Sequence, residues 1–319
     1  MKKYSHLSQG QRYQLSAFLG MNLSKKEIAE KLEVDPSTVY REINRNSTRN
    51  NYTPIAHKKY LNRRKNSRKK DKLTEAVKVI LKEKIELDWS PQQISERLKK
   101  DGVLLISHVT IYKFISEDEK SGGKLYKHLR GKRTYRRKYG TFSRYRHEKK
   151  YSISNRSKEI EERFRHGDWE IDTVVSKKDK HAIVTLVDRK TRYTLIEKVK
   201  DLTRNSIITA ITITFKKNGV VVHSLTSDNG VEFAGFKRLI RNLKIDYYFA
   251  HPYSSWERGT NENTNGLIRQ YCPKGCSFKD IKKHKIKEIQ DTLNNRPRKV
   301  LGYMTPKEFY KKEVLALAN

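Results

Sequence analysis

Three acidic residues in the second half of the chain have types and surroundings that suit metal-assisted chemistry. Asp172 lies in the middle of the strand-like run WEIDTVV, and Asp228 follows a second such run in TSDNGVEF. Glu262 lies in a segment with helical character. Carboxylates are hard oxygen ligands of the kind that Mg²⁺ prefers. A pair of such ions supports phosphoryl transfer by activating a nucleophile and stabilising the leaving oxygen. We therefore interpret the three acids as a candidate catalytic and metal-binding set for Mg²⁺ or Mn²⁺, with two ions expected.

Each acid has a structural alternative when it is taken alone. Asp-Asn-Gly is a common turn sequence, so Asp228 alone is more often structural than catalytic. Asp168 and Glu170 share a strand face with Asp172, because side chains alternate with a period of two. Glu257 precedes Glu262 by five residues, which rotates the two side chains by roughly 140° around a helix, so only one of them can face the metals.

The elements that must position these acids follow a recognisable order after Asp168. Three strand-like runs come first, then helix, strand, helix, strand and two further helices, which predicts a mixed sheet flanked by helices. The ranges are 203–216, 231–242, 257–271 and 281–294 for the helices, and 220–226 and 245–250 for the later strands. We assign residues 161–319 to this α/β catalytic core with its C-terminal helices.

The N-terminal residues 7–45 predict three short helices in helix-turn-helix geometry. Ser24 with Glu27 forms a capping box, and Asp35 with the following proline marks the start of the third helix. The third helix, 36–44, is the expected recognition helix, and its outer face carries Ser37, Thr38, Tyr40 and Arg41. The turn holds Glu33 where many such motifs carry glycine. An ordinary three-helix bundle is the alternative interpretation of this domain, assigned to residues 1–50.

The middle of the chain joins basic segments to a second helical region. Residues 51–72 and 121–160 are assigned as basic linkers, and their Arg63, Arg64, Arg136 and Arg137 are expected to contact DNA phosphates. Residues 73–120 predict a second, looser helix-turn-helix domain, although a purely structural helical hairpin explains the same pattern.

Composition points to a nucleic-acid partner. Lys and Arg number 71 against 36 acidic residues, a formal charge of +35, which favours a polyanion such as DNA; a merely basic protein, for example a ribosomal one, is the alternative. Cys272 and Cys276 are too few for a disulfide framework. No signal peptide or membrane-spanning run is apparent, so we expect a cytoplasmic bacterial protein that joins the nucleoid when bound.

Three sequence blocks carry a resemblance to a known family. GDWEIDTVV, SDNGVEF and HPYSSWERGTNENTNGLIRQYCPKG resemble the blocks around the catalytic acids of the insertion-sequence-thirty (IS30) family of DDE transposases. Thirty-three residues separate Asp228 from Glu262, as in that family. The paired N-terminal helix-turn-helix units match as well. Ile171 and Cys272 depart from the family pattern without touching the acids.

This resemblance implies a fold, an activity and partners. The fold is multidomain, with N-terminal all-α helix-turn-helix units followed by an integrase-like core of the ribonuclease H-like type. Asp172, Asp228 and Glu262 become the metal-binding triad. The family's substrates are terminal inverted repeats and target DNA, and two ends must be held together, which implies a homo-oligomer of at least two chains.

Residues beside the acids receive supporting roles. Asn229, Asn263 and His251 are expected to orient water or the scissile phosphate, and Arg269 and Lys274 to hold phosphate. Arg296 and Arg298 are placed near DNA, although packing is the main role expected of the C-terminal segment.

The sequence therefore predicts a DNA transposase that binds inverted repeats, cleaves a strand and transfers it. Two other functions stay open, a DNA-binding repressor with an inert integrase-like domain and a structure-specific nuclease on the same fold.

Overall fold

The computed structural model describes residues 6–48, 51–52, 55–66, 73–130, 147–252 and 254–318. The chain divides into two units, Met1–Lys72 and Leu73–Asn319. Within the described ranges, every helix is too short or too polar to cross a membrane.

The first unit is a small helical domain around one apolar cluster. Leu15, Ile28 and Val39 are fully buried in it, one from each of the first three helices. Its elements are α1 (Gln9–Gly20), α2 (Lys25–Lys31), α3 (Pro36–Asn46), β1 (Ser47–Thr48), β2 (Asn51–Tyr52) and α4 (Ala56–Asn66). The predicted three helices are thus present, and a two-stranded hairpin and a fourth helix follow them.

The turn between α2 and α3 has the capping that the sequence predicts. The Ser24 hydroxyl accepts a hydrogen bond from the Glu27 backbone and the Glu27 carboxylate accepts one from the Ser24 backbone. Asp35 accepts a hydrogen bond from the backbone N–H of Ser37 at the start of α3. Between these caps, Glu33 adopts a left-handed backbone with φ of 55°. A glutamate thus occupies the conformation for which related motifs use glycine.

Part of the basic segment 51–72 is folded into α4. The buried guanidinium of Arg12 lies 4.3 Å from the centre of the Tyr60 ring on this helix. Its Nε atom donates to Glu42 Oε1 at 2.6 Å, which ties α1 to α3. The basic side chains of residues 58–65 therefore project from a helix that packs on the domain.

The second unit begins with three helices around their own apolar cluster. These are α5 (Glu75–Glu86), α6 (Pro91–Lys100) and α7 (His108–Lys120), packed through Leu81, Ile94 and Ile111. Residues 73–120 were assigned above as a domain of their own, yet they fall into one unit with the core. Hydrogen bonds explain this, because Gln93 donates to the carbonyl of Pro297 at 2.7 Å and Arg97 makes two bonds to Glu308.

The core is a five-stranded mixed sheet covered by helices on both faces. Its strands lie in the order β5-β4-β3-β6-β7. The remaining elements are α8 (Lys158–Glu161), β3 (Asp168–Val175), β4 (Ala182–Asp188), β5 (Thr194–Val199), α9 (Arg204–Asn218), β6 (Ser224–Ser227), α10 (Phe236–Leu243), β7 (Asp246–Phe249), α11 (Gly259–Tyr271), α12 (Lys283–Asn294) and α13 (Pro306–Ala318). Trp169 and Ile171 pack toward α9 and α10, whereas Val174 packs toward α11 and α12.

The central pair of strands brings the first two acids together. β3 and β6 are parallel neighbours, with Glu170 opposite Thr226. Extending this register by two residues sets Asp172 beside Asp228. The fourth strand is shorter than its apolar pattern predicts, since β6 begins only at Ser224.

Replacing Glu33 with glycine should stabilise the first unit. A left-handed backbone destabilises the folded state by roughly 1–2 kcal/mol when the residue has a Cβ. Glycine removes this strain, but it loses more chain entropy on folding, which offsets about 0.5–1 kcal/mol of the gain. We expect Glu33→Gly to raise the local opening free energy by about 0.5–1 kcal/mol in amide hydrogen exchange over residues 6–48. Gln14→Gly, on the exposed face of α1, is the control and should lower it by roughly 0.5–1 kcal/mol. Slower exchange in both variants, or in neither, contradicts the strain at Glu33.

Candidate active site

The three acids that alternate along β3 have different partners. Asp168 is buried and accepts a hydrogen bond from the Ser224 hydroxyl at 2.6 Å and another from Arg165 Nε at 3.1 Å. These contacts join the beginning of β3 to β6. Both oxygens of the Asp168 carboxylate accept hydrogen bonds in these contacts, which gives Asp168 a structural role.

Glu170 is also engaged, in a fully buried ion pair. Its Oε1 atom accepts a hydrogen bond from Arg189 Nη1 at 2.8 Å, and both side chains are almost completely excluded from solvent. Its Oε2 atom accepts the backbone N–H of Asn261 at 3.1 Å. Glu170 therefore holds the first turn of α11 against β3 while it neutralises a buried guanidinium.

Asp172 and Asp228 share one cation. Arg258, in the short 3-10 turn before α11, places Nη1 3.4 Å from Asp172 Oδ2 and Nη2 3.2 Å from Asp228 Oδ2. Nη1 also donates to the carbonyl of Ile171 at 3.3 Å. The two carboxylates are thus close enough for one planar guanidinium to bridge them.

Further polar side chains complete the surroundings of these aspartates. Asn265 of α11 donates from Nδ2 to Asp172 Oδ2 at 2.9 Å. Glu232, in the turn after Asp228, accepts a hydrogen bond from the Thr173 hydroxyl at 3.1 Å. Gly230 gives Glu232 its room, because a Cβ there would lie 2.4 Å from Glu232 Oε2. A third carboxylate therefore lies beside the aspartates.

Burial and like charges act together on the protonation of this cluster. Burial raises the pKa of Asp172 to about 6, with Arg258 opposing the rise and Asp228 adding to it. Burial also raises the pKa of Glu232, and the Asp228 charge contributes to that shift. Groups of this kind are stabilised as anions by an added cation, which is the electrostatic condition for a metal site.

The donor set suits Mg²⁺ or Mn²⁺. Asp172 and Asp228 offer only oxygen donors, and their shared contact with Arg258 shows that this position attracts positive charge. Across the described ranges, no three acidic, histidine or cysteine side chains are grouped closely enough to hold an ion as they stand.

Glu262 lies on the helix that contacts this cluster. It is exposed in the first turn of α11, three residues before Asn265 and four after Arg258. Residues with these spacings share one side of a helix. Among the described side chains, Glu262 has no hydrogen bond or ion pair, and it is exposed to solvent.

Glu257 has a different environment. Its Oε1 atom is 2.7 Å from Nδ1 of His251, and its Oε2 atom accepts the His251 backbone N–H at 2.7 Å. The other ring nitrogen of His251 is 2.9 Å from the Ser154 hydroxyl. Glu257 is therefore engaged with His251, and His251 joins the loop before α11 to the segment that enters the core.

The two asparagines predicted to assist the acids differ in position. Asn229 is buried and donates to the carbonyl of Ala250 at 2.7 Å, linking the ends of β6 and β7. Asn263 is exposed on α11 next to Glu262. Asn229 therefore shapes the turn that carries Asp228, whereas the Asn263 side chain faces solvent.

The predicted DNA contacts are distributed over both units. On α3, Ser37, Tyr40 and Arg41 are exposed and Thr38 is half-buried. Arg63 and Arg64 are exposed on α4, where Arg63 also donates to the side chain of Asn46 at 2.8 Å. Arg136 and Arg137 lie outside the described residues.

The two predicted phosphate contacts in the core are unlike each other. Arg269 donates to the carbonyl of Val175 at 2.8 Å, and its guanidinium lies 5.7 Å from the centre of the Phe278 ring. Burial lowers the pKa of Arg269. Lys274 is exposed in the turn after α11. Arg269 is therefore partly committed to packing, and Lys274 is the more accessible cation.

Sequence reasoning missed Arg258, Asn265 and Glu232. Their signal was available in the spacing, because Arg258 and Asn265 lie one turn on either side of Glu262. Glu232 is part of the SDNGVEF block, but an acid after a turn has too many ordinary explanations to be selected from sequence alone.

Comparisons with known proteins agree with this architecture. A family profile described as "Integrase core domain" matches residues 165–255, and one described as "Helix-turn-helix domain" matches residues 3–46. The chain is 41% identical to the transposase for insertion sequence element IS4351 of Bacteroides fragilis, over 96% of this chain and 95% of that protein. It is 36% identical to the transposase InsI for insertion sequence element IS30A of Escherichia coli K12, over 97% and 84% of the two chains.

Solved structures that resemble this chain include the catalytic core domain of BIV integrase, with a TM-score of 0.39 and 19% sequence identity. The match covers 48% of this chain and 99% of the integrase chain. The predicted fold class, helix-turn-helix followed by an integrase-like core, is confirmed by the two profiles and by the mixed five-stranded sheet.

Removing the Glu170 charge should destabilise the core strongly. Glu170→Gln leaves Arg189 as an unpaired buried charge, and breaking such a pair costs about 3–5 kcal/mol. Glu308→Gln is the control, since its partly exposed pair with Arg97 is expected to contribute about 1 kcal/mol or less. Urea unfolding followed by tryptophan fluorescence measures the free energy of unfolding of both variants. The buried Trp169 contributes to this fluorescence. Adding Arg189→Met to Glu170→Gln should recover part of the loss; equal losses in the two single variants would count against the buried pair.

Proposed function

Because the chain belongs to the IS30 family of insertion-sequence transposases, we propose that Asp172, Asp228 and Glu262 are the acids with which it cuts and rejoins DNA. The observation that carries this proposal is the contact of Asp172 and Asp228 with one guanidinium, at the start of the helix that bears Glu262. Two carboxylates that converge on a cation, beside a third on an adjoining helix, match the need of phosphoryl transfer for concentrated negative charge around metal ions.

Asp172, Asp228 and Glu262 would together hold two metal ions, either Mg²⁺ or Mn²⁺. When bound, these ions activate the attacking oxygen and stabilise the leaving oxygen. In the first reaction water cleaves a phosphodiester at the element end and leaves a 3′-hydroxyl. In the second that hydroxyl attacks another phosphodiester in line, so one bond forms as one breaks and no covalent protein intermediate is needed.

The side chains around the acids have positioning roles in this proposal. Asn265 orients Asp172 through its hydrogen bond to Oδ2, and Glu170 holds the first turn of α11, which carries Glu262. Arg258 has a guanidinium between the two aspartates, where a phosphate approaching the acids would meet it. Arg–phosphate pairing is charge-assisted and directional, so Arg258 can hold the scissile group against repulsion by the carboxylates.

Recognition of the DNA ends belongs to the first unit in this proposal. α3 presents Tyr40 and Arg41 on its exposed face, as expected of a helix in the major groove. The substrates are the terminal inverted repeats of the element and a target duplex. The basic residues of 51–72 and 121–160 add contacts with phosphates, which strengthen binding to any sequence.

Two further proposals follow from the need to join two ends. Each end requires a bound chain, so the active form contains at least two copies. The chain acts in the bacterial cytoplasm and is associated with the nucleoid while it is bound to DNA.

The assignment of the third acid is tested by two glutamate variants. Glu262→Gln should abolish cleavage and strand transfer, because it removes a metal-binding charge without changing the side-chain volume much, and Asp172→Asn and Asp228→Asn should do the same. Glu257→Gln is the matched control, since Glu257 pairs with His251, and it should retain substantial activity. Magnesium-dependent strand transfer is measured with purified protein, and a gel-shift assay checks that end binding persists.

The outcomes also separate this function from its alternatives. Full activity of Glu262→Gln refutes the assignment, and loss of activity in Glu257→Gln alone moves the third ligand to that residue. Binding without any reaction of the unaltered protein indicates a repressor with an inert core. Cutting without strand transfer and without preference for the repeats indicates a nuclease.

End recognition is tested at Arg41. Arg41→Ala should weaken binding to the inverted repeat by about 1–3 kcal/mol if the guanidinium reads a guanine, while binding to random DNA changes less. Lys26→Ala, on the exposed face of α2, is the control and should weaken both kinds of binding alike if it meets only phosphate. Competition binding at a fixed salt concentration gives the ratio of the affinities for the inverted repeat and for random DNA. An unchanged ratio in Arg41→Ala, or in a chain without residues 1–50, places recognition elsewhere.

A further inference from the structure

Three arginines converge beside the C-terminal half of α11. Arg296 places Nη1 3.4 Å from Gln270 Oε1 and Nη2 3.3 Å from the Tyr271 hydroxyl. Arg298 donates from Nη2 to the carbonyl of Leu293 at 3.1 Å. Arg130, at the end of the helical region, lies over Gly266, where a Cβ would be 3.3 Å from its Nη2 atom.

These arginines have few counter-charges. In the described part of the chain, the nearest carboxylate to Arg296 is that of Asp88 at 4.0 Å. Asp88 already accepts a hydrogen bond from Tyr271 at 2.7 Å and contacts His128 at 2.8 Å. Asp88 is thus shared among Arg296, Tyr271 and His128, while the charges of the three guanidinium groups oppose one another.

Burial makes this arrangement costly without an anion. Arg296 is only 3% exposed, and the buried Nε atoms of Arg296 and Arg298 have no hydrogen-bond partner among the described residues. Burial and the charges of Arg296 and Arg130 together lower the pKa of Arg298 to about 10. Buried charges and donors are normally compensated, so an anion beside the exposed Arg130 would stabilise this cluster.

The cluster is aligned with the proposed third acid. Glu262, Gly266 and Gln270 are spaced by four residues on α11, so they form one stripe along the helix. At 1.5 Å per residue, Gly266 and Gln270 lie about 6 and 12 Å beyond Glu262 along the axis. Successive phosphates of a DNA strand have a comparable separation, so a strand that meets Glu262 and follows this stripe brings its next phosphates to Arg130 and Arg296.

A purely structural role explains less of this cluster. The contact of Arg296 with Asp88 and Tyr271 does help to join the helical region to the core. It leaves Arg130 without a role, because this exposed side chain adds positive charge to a site that already has an excess. An approaching phosphate offers acceptors to the exposed guanidinium of Arg130, and its charge offsets that of the two more buried groups.

We propose that Arg130, Arg296 and Arg298 form a binding site for the DNA backbone phosphates one or two nucleotides from the reacting bond. This site rests on the proposed function, since its ligand is the strand that the acids cut. It sets the register of that strand on α11, with Gly266 giving Arg130 access to the helix surface.

Neutral phosphate analogues test this site in the full-length protein. The probe is a duplex that carries the end of the insertion sequence, with a single methylphosphonate linkage moved across the reacting bond. In the unaltered protein, a neutral linkage one or two nucleotides away should weaken binding about tenfold, equivalent to ~1.4 kcal/mol. In Arg130→Gln the same linkage should cause no further loss at one of these positions, because the guanidinium that it would have met is gone.

Matched variants keep the result interpretable. Lys217→Gln changes an exposed cation at the end of α9, on the face of the sheet opposite α11, and should retain the full sensitivity to the neutral linkage. Arg130→Lys should restore part of it. Arg130→Gln should also reduce the slope of log affinity against log salt by about 0.9 for each phosphate lost. Thermal unfolding confirms that each variant is folded, and Arg298→Gln repeats the measurement on a second member of the cluster.

The site is overturned if neutral linkages near the reacting bond have no effect on the unaltered protein. It is also overturned if Arg130→Gln and Lys217→Gln retain the same sensitivity at every position. Failure of the proposed function has a separate signature, which is the absence of magnesium-dependent cleavage by the unaltered protein on the unmodified duplex.

Discussion

The Glu170 carboxylate is the point at which the core sheet and α11 are joined. One oxygen neutralises the buried Arg189, and the other accepts the backbone N–H of Asn261 in the first turn of α11. A charged acceptor at a helix N-terminus is favoured by the helix dipole. Glu170 therefore fixes the start of the helix that carries Glu262. Glu170 itself lies two residues before Asp172 on β3. Arg258 and Asn265 then set that helix against the aspartates from either side of its first turns.

Much of this architecture could be predicted from the sequence because its signals are local. The caps at Ser24 and Asp35, the alternation in β3 and the Asn-Gly turn after Asp228 each depend on a few adjacent residues. Alternation placed Asp168, Glu170 and Asp172 on one face, but it could not choose among them. That choice depends on Arg165 and Arg189, which come from other segments and occupy the first two acids.

The parts that sequence reasoning missed depend on contacts between distant segments. Arg258 is one of 71 basic residues, and only the approach of the turn before α11 to β3 and β6 distinguishes it. Segment 56–66 has a composition typical of a solvated linker, but Arg12 and Tyr60 hold it against α1 as α4. Residues 73–120, which were predicted to be a domain, have their own apolar cluster. Their polar contacts with the core, at Gln93, Arg97 and Asp88, join distant parts of the chain and could not be predicted from local sequence.

The attachment of Gln93 to Pro297 also orders events in time. These residues are 204 positions apart in the chain, and ribosomes add about 5–20 residues per second. At that pace Pro297 is made roughly 10–40 seconds after Gln93. The apolar cluster of the first unit draws on residues 7–52, which emerge earlier still. During synthesis, the helix-turn-helix unit can therefore fold while the acids of the core are still unassembled.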